Sequence, residues 1–427
     1  MKRTSQCLFC VFAAVLAGQA VAVEARGVVY HDQNANGARD AGEPGIAQVA
    51  VSNGVEVVLT DADGRYTLPV TDDTIIQVIK PSGWVTPVDP DTQLPQFFYT
   101  HKPEGSPELK TPGVAPTGPL PESVDFALMP QAEDGPFDVV CFGDTQARNQ
   151  EEVDYMSHRV IEELVGVDAV FGMTLGDLVF DDLRVFEPTV ESISVLGLPW
   201  YHVIGNHDIN FEAPELRYTD DTYERIFGPS TFAFTYGRVH FLALNDVMPE
   251  MEGRDYHGEL GADRLAFIEN DLRHVSKDHL IVLLMHIPLQ DLRDREALQA
   301  LLEPYPHTFS MSSHWHAQQH YFLGPEQGWD GPEPHHHLVQ GTACGSWWRG
   351  GFDELGIPMA MMADGVPNGY SMITFDGIDY SIRYKVARRP ADYQMNIFAP
   401  EAVESAAADK AEVLVNVFAG SERSTVE

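Results

Sequence analysis

Cysteine is nearly absent: there are four in 427 residues, and two of them, Cys7 and Cys10, lie in an apolar leader. That excludes a disulfide scaffold, and no cysteines stand at zinc-ribbon spacing further on. Basic residues are also scarce, 27 Lys and Arg against 64 Asp and Glu, which sets the net charge at −37. So anionic a chain excludes nucleic acid and anionic membrane as default partners, because both bind through cationic surface. A basic partner or a saline habitat is compatible with it. Beyond residue 22 the sequence has no apolar run long enough to be read as a membrane span.

What is present starts with the leader. Lys2 and Arg3, the apolar run Leu8 to Ala17 and the small-x-small site Ala20-Val21-Ala22 predict a signal peptide over 1–22. Export to the periplasm or the cell surface follows, and no cysteine stands where a lipoprotein would need one. The mature chain keeps Cys141 and Cys344; a bridge is allowed in an oxidising compartment, but Cys141 sits in an apolar strand and reads more simply as a buried thiol. A hydrophobic content of 44% supports a sizeable core spread over two to four domains.

Residues 23–130 read as strands and turns, among them Gly27 to Tyr30, Val55 to Leu59, Tyr66 to Leu68 and Ile75 to Ile79, predicting a β-sandwich. Inside it, Asp32, Asn34, Asn36, Asp40 and Glu43 alternate oxygen-bearing side chains around Gly37. They form either a calcium loop, resembling the start of the B-type repeats of bacterial surface proteins, or an Asx-rich turn that binds nothing. A proline-rich stretch, Pro103 to Pro121, leads to the next unit. From 137 to 328 strands alternate with amphipathic helices, an α/β pattern. Val153, Met156, Val160, Ile161 and Leu164 share one helical face, and Leu183, Phe186, Val190, Ile193 and Leu196 another. Residues 329–427 read as a third, mostly β domain whose last hairpin, Val413 to Phe418 followed by Ser424 to Glu427, is cut short.

Most of the central strands end on polar clusters: Gly143-Asp144-x-Gln146, Gly176-Asp177-x-x-x-Asp181, Gly205-Asn206-His207-Asp208, His286, and Ser313-His314-Trp315-His316. Carboxylate, amide and imidazole in this alternation suit two adjacent metal ions. The sequence resembles the calcineurin-like metallophosphoesterases, whose pattern is D-x-H, G-D-x-x, G-N-H-D/E, a lone H and G-H-x-H. The resemblance implies a β-sandwich core flanked by helices, with N- and C-terminal β domains. It implies that Asp144, Gln146, Asp177 and His316 hold one metal and that Asp177, Asn206, His286 and His314 hold the other. Gln146 stands where most of the family has histidine, and Ser313 replaces a glycine. The amide is a harder, neutral ligand, which favours iron or manganese over zinc at that site.

In such a centre the ions bind phosphate oxygens and acidify a bridging water, whose hydroxide attacks phosphorus. His207 would protonate the leaving alkoxide, with Asp208 orienting it and favouring its cationic form. Asp181 reads as a helix N-cap, with contact to the substrate as the other reading. His202 and His240 lie in apolar strands and read as core residues or as supports behind the ligands, and His335 to His337 read as solvated or supporting histidines.

The segment Gly341 to Gly350 resembles the region after the catalytic core in three-domain bacterial phosphoesterases, implying substrate contact by Trp347, Trp348 or Arg349; a Gly-Trp packing corner is the other reading. The function expected is hydrolysis of small, glycan-linked or lipid-linked phosphate esters, monoesters before diesters. The alternatives are a phosphodiesterase on nucleotides or head groups, and a surface protein that only binds.

Overall fold

The computed structural model describes residues 23–250 and 253–425; the leader, 1–22, lies outside the described residues. Two four-stranded sheets form the N-terminal unit. One orders Arg65–Val70, Val23–His31, Phe126–Pro130 and Trp84–Val85; the other orders Val57–Leu59, Ala50–Ser52, Thr74–Ile79 and Phe98–His101. Arg65–Val70 alternates exposed and buried positions for most of its length, the period-two pattern of a strand with one face in the core. Phe126–Pro130 returns after the proline-rich stretch to lie parallel to Val23–His31 and closes the unit.

The central unit is a sandwich of two larger sheets. The first orders Trp200–Val203, Phe171–Leu175, Phe137–Phe142, Gly369–Asp376 and Asp379–Val386, with the first three parallel. The second orders Phe232–Tyr236, Val239–Ala243, Leu280–Leu284, Thr308–Ser312, His335–Val339 and Gln319–Leu323, with a parallel run from Val239–Ala243 to His335–Val339. Val139, Cys141 and Phe171 from one sheet meet Phe241, Val282 and Phe309 from the other in a shared core. The outer faces are covered by helices, and both predicted apolar helix faces are buried, through Val153, Met156 and Val160 and through Phe186, Val190 and Ile193. With side chains packed on both faces, Leu280–Leu284 is buried throughout, so it reads as an unbroken apolar run instead of an alternation.

The third domain expected over 329–427 is in part not separate. His335–Val339 pairs with Thr308–Ser312, and Gly369–Asp376 pairs antiparallel with Phe137–Phe142, so these strands complete the central sheets. Among the described residues of this stretch, only Met395–Phe398 and Leu414–Val417 form a two-stranded sheet of their own. That last strand therefore has a partner that precedes it in sequence; the end of the Ser424 to Glu427 tail expected to pair with it lies outside the described residues.

The histidine run is also placed differently. His335 and His337 are fully buried. They form a ladder with the hydroxyls of the adjoining strand: Thr308 Oγ1 to His335 Nδ1 at 2.8 Å, Ser310 Oγ to His335 Nε2 at 2.7 Å, Ser310 Oγ to His337 Nδ1 at 2.6 Å and Ser312 Oγ to His337 Nε2 at 3.0 Å. Parallel pairing sets hydroxyls opposite imidazoles at every second residue, so each buried polar atom finds a partner.

The N-terminal unit docks on the sandwich through buried polar links. Gln77 Nε2 donates to the Thr231 carbonyl (3.0 Å), and Lys80 Nζ bonds both Glu133 (2.7 Å) and the Thr235 carbonyl (2.6 Å).

Candidate metal centre

All five polar clusters lie just past the carboxyl ends of parallel strands, so the two sheets deliver them to one rim of the sandwich. Two glycines are required by close approach. A Cβ on Gly176 would lie 2.3 Å from His286 Nδ1, and one on Gly205 would lie 2.3 Å from Asp177 Oδ1. Eleven described non-glycine residues have positive φ, and seven of them are here: Gln146, Asp177, Asp181, His314, His316, Trp347 and Trp348. Strained backbone gathered at one place marks a site whose geometry is held by its surroundings.

Asp177 stands at the middle. Its Oδ1 accepts the His207 backbone N–H (2.9 Å) and lies 3.2 Å from His286 Nε2, while its Oδ2 lies 3.0 Å from Gln146 Nε2. On one side His316 Nε2 is 3.0 Å from Asp144 Oδ2. On the other, His286 Nε2 is 3.0 Å from Asn206 Oδ1 and 3.2 Å from His314 Nδ1. The structure thus brings together all seven residues expected as ligands.

The donor set fits two metal ions. Asp177, His286 and His314 offer ligand atoms within 4.8 Å of one another, and Asp144 Oδ2 is fully buried beside His316 Nε2. His286 Nδ1–H donates to the Leu175 carbonyl (2.8 Å) and His316 Nδ1–H to the Gly345 carbonyl (2.5 Å), which leaves both Nε2 lone pairs facing the centre. The Gln146 amide can present its oxygen instead of its nitrogen by a flip. Burial opposes charge on His286 and His316, yet carboxylates outweigh it at His286, pushing it up to about 10, and Cys344 and Asp144 do so at His316, to about 11. Carboxylates packed this closely favour positive charge at the centre. His314 moves the other way, to about 4, through burial and the neighbouring His286.

His207 is half-buried, with its ring stacked on Phe180 at 4.4 Å. Its Nδ1–H donates to Asp181 Oδ1 (2.7 Å), whose other oxygen accepts from Arg254 (2.9 Å). Burial disfavours the imidazolium, but Asp181 and Asp177 raise the His207 pKa above the usual histidine value. The orienting carboxylate is therefore Asp181 and not Asp208. Asp208 is buried and accepts the N–H groups of Leu178 (3.0 Å), Val179 (3.1 Å) and Gly205 (2.9 Å), fixing the turns that carry Asp177 and Asn206. The N-cap expected of Asp181 is supplied by Asp182, which caps the short turn Leu183–Val185.

Two neighbours escaped the sequence reading. Asp246, fully buried, accepts the His286 and Ile287 N–H groups, and burial pushes it up to about 7. It too follows an apolar strand, Val239–Ala243, so the strand-end pattern could have found it. Cys344 Sγ lies 3.7 Å from Gln146 Oε1 and 3.9 Å from His316 Nδ1, with no spacing in the sequence to signal it. Cys141 and Cys344 are both free thiols, so no bridge joins them.

The three residues expected to touch substrate separate. Trp348 is 4% exposed and its Nε1–H donates to the Thr145 carbonyl (2.9 Å), which makes it packing. Trp347 lies against His316 with 4.7 Å between ring centroids, and Arg349 lies outside it, 5.8 Å from the ring. His202 is buried against Phe227, and His240 bonds Asp271 (2.6 Å), both away from the ligands.

In the N-terminal loop Asp32 accepts from Asn36 and Gly37, Asn34 accepts from Asn36, and Glu43 accepts from Gln33 and Asp40. Its oxygens accept from its own backbone, and Asp40 receives the Asn34 and Asn36 amides. The other carboxylate group with ligand-like spacing, Asp220, Asp221 and Glu224, is met by Lys102, 2.6 Å from Asp221.

A two-sheet sandwich carrying an Asp, Asn and His cage at the strand ends defines a metal-dependent phosphoesterase. The chain belongs to the calcineurin-like phosphoesterase family: the family's N-terminal model matches residues 33–111, its central model 132–318 and its C-terminal model 337–427. Among curated proteins no sequence matches. Solved structures similar to this one include a dimetal phosphatase from Danio rerio, at 12% identity over 58% of this chain and 99% of that one, TM-score 0.40. Purple acid phosphatase PPD1 from yellow lupin seeds matches at 14% identity, over 80% and 67%, TM-score 0.43. PhoD matches at 11% identity, over 92% and 88%, TM-score 0.45. Among the described residues no helix is long and apolar enough to cross a membrane.

Proposed function

We propose that this phosphoesterase is an exported enzyme with two metal ions that hydrolyses small, glycan-linked or lipid-linked phosphate esters, monoesters before diesters. The observation that carries the reading is Asp177, one carboxylate in reach of Gln146 on one side and His286 on the other. Asp144, Gln146, Asp177 and His316 would hold one ion, and Asp177, Asn206, His286 and His314 the second. When bound, the pair supplies Lewis acidity toward phosphate oxygens and a water acidified enough to attack phosphorus.

The chain's own groups do the rest. Asp181 fixes the Nδ1–H tautomer of His207 and favours its protonated form, so the free Nε2–H can pass a proton to the departing alkoxide. Phe180 stacks on the ring, and Arg148 lies over Phe180 at 4.3 Å. A net charge of −37 supports a small ester over a polyanion, which this surface repels at long range. Export is proposed on the leader, and amino-terminal sequencing of the secreted protein should begin at Val23.

The test is elemental analysis of purified protein, with hydrolysis of p-nitrophenyl phosphate and bis-p-nitrophenyl phosphate measured after loading with manganese, iron or zinc. The expected result is two metals per chain and faster turnover of the monoester. Less than one metal and no turnover under any loading would leave a binding protein instead.

A further inference from the structure

The chain that follows Gly345 leaves the metal centre and turns outward as a knob whose large apolar side chains face water. Trp347 is 36% exposed, Phe352 66%, Leu355 55%, Met359 44% and Met361 46%. Backbone pairing gathers them on one feature. Phe352 bridges Pro358, the Met359 N–H donates to the Gly351 carbonyl (2.8 Å), and Ser346 Oγ donates to the Met361 carbonyl (2.6 Å). Single exposed apolar residues are ordinary, whereas several on one short paired segment next to the metal centre mark a surface that something covers.

Its position indicates what covers it. Trp347 joins the knob to the reacting centre, with its ring on His316 and its carbonyl held by Arg148 Nη1 (3.0 Å). A second copy of the chain, or an anionic bilayer, would meet the repulsion of a surface at −37. A ligand with one phosphate and a long uncharged tail meets little of it, and its phosphate has a place among the metal ligands.

We propose that the substrate is an amphiphilic phosphate ester whose aliphatic chain lies across Trp347 and along Phe352, Met359 and Met361. The proposal rests on the phosphoesterase reading and names the substrate class for it. Hydrolysis breaks the ester P–O bond. Water gives its oxygen to phosphorus and, through His207, a proton to the leaving oxygen, releasing a long-chain alcohol and inorganic phosphate.

The experiment is a series of n-alkyl phosphates from ethyl to dodecyl, held below their micellar concentrations, with metal-loaded enzyme and p-nitrophenyl phosphate as reference. Each added methylene should raise kcat/KM by about two- to fourfold, the range for half to complete removal of a methylene from water. The readout is the dodecyl-to-ethyl ratio within each protein, and Phe352→Ser/Met359→Ser/Met361→Ser should flatten it. Calorimetric binding of dodecylphosphonate against ethylphosphonate gives the same ratio without turnover, and circular dichroism confirms that the variant folds; Met361→Ser alone replaces it if it does not, with a smaller flattening.

A flat series in the parent, with p-nitrophenyl phosphate still hydrolysed, overturns the tail site and leaves the phosphoesterase reading intact. So does an unchanged slope in the folded variant. A variant that only splits a dimer in sedimentation, or only loses flotation with phosphatidylcholine vesicles, assigns the knob to a second copy or a membrane and overturns the proposal. No turnover of any ester by metal-loaded protein removes both readings.

Discussion

His207 and Asp177 are neighbours across one hydrogen bond, yet their loss should differ in kind. His207→Ala removes only the proton donor, so metal content by elemental analysis should stay at the parent level while kcat falls by roughly 10² to 10⁴. Asp177→Ala removes the carboxylate common to both ligand sets and should lose metal together with activity. Parent turnover in His207→Ala would exclude it as the general acid. Asp181→Asn tests the contact that the structure moved from Asp208 to Asp181. It should keep its metal and lower kcat by about ten- to a hundredfold with KM little changed, while Asp208→Asn should mainly lower the unfolding midpoint by loosening three backbone anchors. The reverse pattern would restore Asp208 to the orienting role. At this scale the sequence showed which residue types stand at the strand ends. It could not show that Asp181, four residues from Asp177, turns back to His207, because a positive φ of 65° at Asp181 sets that direction.

The elements that carry these residues hold their register by polar pairing as well as by apolar packing. In the Thr308–Ser312 and His335–Val339 pair, Ser310 bonds both His335 and His337, and the second strand leads straight to Gly345, whose carbonyl fixes His316. Burial pushes His335 down to about 3 from 6.5, so it is neutral in the folded chain and takes up a proton first when unfolded. Its share of stability is complete above about pH 6.5 and falls as pH drops toward 3. Urea midpoints measured at pH 7 and pH 5 should therefore fall further in the parent than in His335→Gln. An equal fall in both would mean that the ladder is not what titrates. The two amphipathic helix faces were legible in the sequence because their period survives packing on one side only. The ladder was not, since a run of three histidines has no period, and only pairing with Thr308 to Ser312 shows where each ring nitrogen goes.

Across the whole molecule, charge is the property that composition sets most directly. At −37 the folded chain repels itself, and salt screens that repulsion, so the thermal midpoint should rise by several degrees from 10 to 300 mM sodium chloride. A fall would show that ion pairs such as Lys80–Glu133 and Lys102–Asp221 outweigh the net repulsion, although their burial should shield them.

The sequence by itself determined the alternation of strands and helices and the order of the five clusters, because these follow from periods and residue types along the chain, and the resemblance carried by those clusters implied the sandwich core and the seven candidate ligands. Tertiary structure alone decided that strands from 335–386 complete the central sheets, that Trp347 faces His316 while Trp348 packs inside, and that Cys344 and Asp246 border the centre. The physical reason is distance along the chain. Cys344 meets Gln146 across 198 residues, and a contact of that kind is fixed by how the sheets pair and pack, which no local pattern records.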